Sequence, residues 1–281
     1  MLSAYIFFRG NYLTINSSKA LLRNLCETPE LVSDFWNISE PIDKPFYPSD
    51  LESVIYGSMV PSGRAKEHYI STIAFFTRVT KPRYQLSIDL RLAPVQWRSA
   101  HNCITIHFEE SWPNGEDKLA QYIISSVLPE FPDYAKIIES SQEDTERLKE
   151  FRRPLSPNDF RDLIAKKVVT LPFGPYGCIE DIYWFNYFGQ VYTDFIGRER
   201  LSAAGWSRID AIGGGLACYA SSKINEPSIR RLRSCIASKL EEFLWMPGSR
   251  LESKRIPAFD FSVQTEELER QTRQKGSYLD T

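Results

Sequence analysis

One run constrains this chain more than any other: Tyr183-Trp184-Phe185-Asn186-Tyr187-Phe188-Gly189. Five aromatic rings on six consecutive residues cannot all face water, whatever backbone they adopt, so the run is expected to cross the middle of a core. Asn186, set among the rings, then needs a hydrogen-bond partner inside. The residues that follow read as its support. Val191, Phe195 and Ile196 recur at helical spacing and Gly197 closes that turn. Gly213-Gly214-Gly215 reads as a turn into a short apolar strand over 216–220, and Pro227 opens an amphipathic helix predicted to reach about Leu244.

The first half carries a different signal. Residues 4–8 read as an opening strand, and Ser17-Ser18 start a helix with Leu21, Leu22 and Leu25 inward. Ser49-Asp50-Leu51-Glu52 has the spacing of a capping box, which predicts a short helix to about Tyr56, stopped by Gly57. Strands are predicted over 69–77, 84–92 and 102–110. The last two alternate Leu86, Ile88 and Leu90, then Ile104, Ile106 and Phe108, against polar neighbours. Clean alternation means one buried and one wet face, which belongs to an antiparallel sheet. A helix over 116–128 would lay Leu119, Ile123 and Val127 on that sheet.

The fold class read from these patterns is α+β, a mainly antiparallel sheet with helices on one face, in two α/β halves. Residues 1–135 form the N-terminal half and 157–263 the C-terminal one. An acidic connector over 136–156 joins them and a polar tail over 264–281 follows. Short strands at 168–171 and 258–263 complete the second half.

With 281 residues the chain can bury a sizeable core, and its formal net charge of −2 argues against general nucleic-acid binding, which needs a clustered basic excess. Five scattered cysteines with no C-x-x-C pair read as reduced thiols. No apolar run approaches the ~20 residues of a membrane span, and the opening apolar run is too short for a secretion signal. The expected location is the cytoplasm.

Catalytic chemistry is hard to find. No P-loop, G-x-G-x-x-G, H-E-x-x-H or G-x-S-x-G occurs. Gly213-Gly214-Gly215 precedes a strand rather than a helix N-terminus, so it lacks the geometry of a phosphate cradle. His101 and His107 lie close in sequence, and Asp89, His107 and Glu109 share a polar face, an arrangement read as a solvated sheet surface rather than a metal or acid–base site. No catalytic residue, metal or cofactor is expected. What remains is surface: the acidic pairs Glu109-Glu110, Glu116-Asp117 and Glu180-Asp181, with Trp112 and Trp206 in segments that read as loops. These eight residues are the candidate partner-binding set, since acids speed encounter with a basic partner and rings supply anchors.

The strand closing on Phe8-Arg9-Gly10-Asn11-Tyr12, Trp36 after the first helix, the strand over 102–108, the run Trp184-Phe185-Asn186-Tyr187-Phe188 and the triple-glycine turn into Leu216 together resemble the immunity protein 52 family of bacterial polymorphic-toxin and type VI secretion systems. The resemblance covers nearly the whole chain, and its motifs are structural. It implies a protein that binds and neutralises one cognate toxin, typically a nuclease with a restriction-endonuclease-like fold, without contacting nucleic acid or membrane and without turnover. It transfers no functional residues. The alternative is a small cytoplasmic enzyme or ligand-binding module with no recognisable motif.

Overall fold

A computed structural model of the chain describes residues 2–8, 32–62, 69–81, 83–92, 102–109, 115–118, 120–121, 132–139, 179 and 181–244, with Arg23 and Glu27. The helix expected from residue 17, the strands expected over 168–171 and 258–263, and the polar tail lie outside these residues.

Among the described residues, eleven strands build one sheet: β1 (Leu2–Phe8), β2 (Phe35–Asn37), β3 (Lys44–Pro45), β4 (Met59–Ser62), β5 (Tyr69–Arg78), β6 (Tyr84–Leu92), β7 (Asn102–Phe108), β8 (Tyr134–Glu139), β9 (Phe185–Phe188), β10 (Arg208–Ile212) and β11 (Gly215–Tyr219). Their order is β10-β11-β9-β8-β1-β7-β6-β5-β2-β3, with β4 on β5, and the pairs are antiparallel. The α-helices whose whole span is described are α1 (Leu51–Ser58), α2 (Gln190–Ile196), α3 (Arg198–Ser202) and α4 (Ile229–Lys239). Among the described residues, no helix is long and apolar enough to cross a membrane.

The ladder β5-β6-β7 follows the alternation in the sequence, with Leu86 opposite Ile106 and Ile88 opposite Ile104. The first strand does more than open the chain. β1 lies between β7 and β8, so strands from both sequence halves meet on it within one sheet. Residues 136–139, read from sequence as the start of an acidic connector, belong to β8 instead. The reason is local: Ala135, Ile137 and Ile138 are apolar and buried, Lys136 is buried with them, and the acidic run begins only beyond Glu139. The remainder of the proposed connector lies outside the described residues.

Side chains alternate across each strand and so feed two cores. Leu2, Ala4 and Ile6 of β1, with Ile137, Phe185, Tyr187, Ala217 and Tyr219, form one; Tyr5 and Phe7 of β1, with Ile138, Phe188, Leu216 and Cys218, form the other. Helices cover both faces, not one: Leu51 and Val54 of α1 join the first core, while Ile196, Leu201 and Ile236 of α2, α3 and α4 join the second. On β6 and β7 the polar set is the wetter one where its burial is described: Gln85 is exposed and Ser87 and His107 are half-buried, although Thr105 is buried. Along β1, β8, β9 and β11 both alternating sets are largely buried, so both faces are covered.

Local signals hold with corrections. Ser49 lies within a 3₁₀ turn, Pro48–Asp50, that runs into α1, and its Oγ donates to the Asp50 carboxylate; α1 continues through Gly57 to Ser58. α4 ends at Lys239, and Glu241–Phe243 form a separate 3₁₀ turn that still buries Phe243. Gly213 (φ 55°) and Gly214 (φ 82°) make the two-residue turn between β10 and β11, where positive φ at both positions matches the twist of a hairpin.

Candidate functional site

Trp184, Phe185, Tyr187 and Phe188 are buried, and Asn186 finds the partners its burial demands. The Tyr134 hydroxyl (3.0 Å) and the Tyr183 amide (3.2 Å) donate to Asn186 Oδ1, while Nδ2 donates to the Tyr183 carbonyl at 2.8 Å. Lys136 stands opposite Asn186 on β8 and is 1% exposed. Its ammonium lies 4.6 Å from the Tyr183 ring centre and 5.3 Å from that of Tyr5, within cation–π range.

The same polar interior captures one residue of the sequence-predicted surface. Asp181 is 4% exposed, so it is not a docking charge. Its Oδ1 accepts from the Ile182 amide at 2.7 Å, and its Oδ2 accepts from Arg233 Nη2 at 3.2 Å. Arg233 also donates through Nε to the Ile182 carbonyl and lies over the Tyr183 ring. The pair ties α4 to the strand entry, a structural role. Trp206 is half-buried, donates from Nε1 to the Leu201 carbonyl at 2.8 Å and meets Phe188 edge to face, so part of its ring packs on the second core.

Glu109 is exposed and faces Arg83 at 3.8 Å, a surface pair of small energetic weight. Glu116 and Asp117 are half-buried at the start of a helical turn. Glu110, Trp112 and Glu180 lie outside the described residues.

Asp117 leads to a cluster that the sequence reading missed. Its carboxylate is 3.6 Å from Arg208 Nη1, while Arg208 Nε donates to Asp210 Oδ2 at 3.1 Å. The guanidinium lies over the Tyr219 ring, 3.7 Å from its centre, and Tyr219 meets Trp184 edge to face at 5.6 Å. Burial raises the pKa of the Tyr219 hydroxyl, with Arg208 opposing. Of the eight predicted residues, the structure thus places Asp117 in a charged group, at the β10 margin of the sheet. The available signal was the alternation Arg208-Ile209-Asp210-Ala211-Ile212 before the glycine turn, the mark of a strand with a charged face.

Ser3 and His107 form a cross-strand pair, with Ser3 Oγ 2.8 Å from His107 Nδ1. His107 is therefore half-buried rather than a solvated strand residue, and burial lowers its pKa. Ser3 is 1% exposed, which denies a substrate the approach that a serine nucleophile requires. Among the described residues, no three His, Cys, Asp or Glu side chains group as a metal site would need. Charged pairs at a sheet margin can recognise another surface, and that is the chemistry this arrangement offers.

No family profile and no curated protein matches the sequence. The fold is similar to a solved structure, "Pseudomonas aeruginosa T6SS protein PA0821", with a TM-score of 0.53 and 13% sequence identity over 96% of this chain and 81% of that one.

Proposed function

We propose that this chain is an immunity protein of the type VI secretion kind, which binds one cognate secreted nuclease toxin inside the producing cell and neutralises it stoichiometrically, with no turnover of its own. The observation that carries the reading is the likeness of fold, along nearly the whole chain, to a protein named for that secretion system. The sequence resemblance to immunity protein 52 points the same way, and implies a toxin with a restriction-endonuclease-like fold.

A nuclease presents basic groups to phosphate, and an inhibitor can meet those groups with carboxylates and area alone. In this reading exposed Glu109 and half-buried Glu116 supply such carboxylates, whereas Asp181 is ion-paired inside and Trp206 packs in part on the second core. A contact of ~1,600 Å² suffices for a specific complex, and slow release comes from a few desolvated anchors rather than from the charged rim.

Coexpression with the toxin encoded beside this gene is the test. Growth should be rescued, and the purified proteins should form a one-to-one complex with nuclease activity falling in proportion to inhibitor. Glu109→Lys with Glu116→Lys should slow association about tenfold at low salt and little at high salt. A protein that neither binds the toxin nor protects, yet turns over a small molecule, is the enzyme of the alternative reading.

A further inference from the structure

The sheet ends in two margins that are built differently. At one, β3 is two residues long and consists of Lys44 and Pro45. Short length, lysine and proline are the means by which proteins stop an edge from recruiting another strand. At the other, β10 has five residues without lysine or proline, and each is half-buried or exposed. Its inner neighbour β11 is buried at all five positions, and among the described residues no strand lies on the outer side of β10. Such an edge is a template for strand addition.

The side chains of β10 select the strand that fits. Arg208 and Asp210 project to one face, and Ile209 projects to the other, against the second core. Laid antiparallel on a second copy, with Ile209 opposite Ile209, the strand sets Arg208 of each copy opposite Asp210 of the other. One face gains two reciprocal opposite-charge pairs and the other an isoleucine pair. Centring the ladder on Asp210 instead would oppose two carboxylates, so charge fixes the register. The Arg208 and Asp210 side chains are 37% and 41% exposed, and their contact with each other is already made within the strand.

We propose that β10 is a self-association edge, across which a second copy of this chain adds antiparallel about Ile209 through reciprocal Arg208–Asp210 pairs. The contact is isologous, each copy giving the same strand. Centred on Ile209, only residues 208–210 of each strand face one another, and so short a ladder buries well under the ~1,600 Å² of a stable interface, so the dimer is weak and depends on concentration.

Sedimentation of the purified full chain tests this. The wild type should shift from monomer to dimer as concentration rises to about 200 µM, and less so in high salt. Asp210→Arg removes from the strand the carboxylate that Arg208 of the other copy meets, and Arg208→Asp removes the guanidinium, so each variant alone should associate at least about tenfold more weakly. Mixed in equal amounts, the two variants restore both opposite-charge pairs and should form a heterodimer. Circular dichroism establishes that each variant is folded. A wild type that stays monomeric throughout overturns the proposal, as does a dimer that survives in the single variants, or a mixture of folded variants that does not associate. The wild-type measurement stands even where a variant does not fold.

Discussion

His107 shows how burial turns a surface residue of the sequence into a stability switch. Its ring is held at Ser3 on the adjacent strand, with Tyr5 edge-on at 5.8 Å, and burial lowers its pKa from 6.5. The unfolded chain therefore takes up the proton at a higher pH than the folded one. The stability this group contributes is complete above pH 6.5 and is lost as pH falls through the lower folded value. His107→Gln should flatten the fall in stability below pH 6.5, measured by urea unfolding at a series of pH values. Parallel curves for variant and parent would assign the acid sensitivity to another group. Asp181 carries the same lesson without titration. Read alone, an acid beside Glu180 looks like surface, and only the fold shows that Arg233, 52 positions away, takes its charge inside.

The β9–β11 pairing has a tolerance that can be measured one atom at a time. A Cβ on Gly215 would stand 2.4 Å from the Phe188 carbonyl oxygen and 2.6 Å from the Tyr187 hydroxyl, closer than such atoms approach. Gly215→Ala should thus push β11 off β9 and cost ~1–3 kcal/mol, seen as a lower Tm. Gly214→Asn should cost less, because a Cβ there meets only the Gln190 side chain, at 3.5–3.8 Å, and asparagine is among the residues that best tolerate positive φ. Equal melting temperatures would show that the strands can separate without loss. The glycine turn itself was legible in sequence, as were β5, β6 and β7 and the buried run at Trp184, because each rests on period, turn chemistry or sheer apolar content. β8 was not legible. Its buried lysine gives it a charged appearance, and the rings that accept that lysine come from β1 and from the entry to β9. The Arg208 cluster was hidden for a related reason: Asp117, Arg208 and Tyr219 are distant in sequence, and pairing rather than spacing brings them together.

β1 decides whether the sheet exists as one body. It pairs along seven residues with β7 and six with β8, and it supplies alternate side chains to both cores. A chain starting at residue 9 should therefore be insoluble or lack a cooperative melt, by solubility and calorimetry; a soluble, cooperatively melting product would mean that the rest of the sheet closes without it. The position of this strand also sets a timetable. Leu2–Phe8 leave the ribosome well before their neighbours, residues 102–108 and 134–139, so an apolar strand with two open edges waits through the synthesis of the residues between. Protein synthesis at ~5–20 residues per second makes that wait last several seconds, longer than collapse or hairpin formation takes. During it the nascent chain is a target for chaperones and for other unpaired strands, and the yield of folded protein in a cell will track that interval more closely than the stability of the finished sheet.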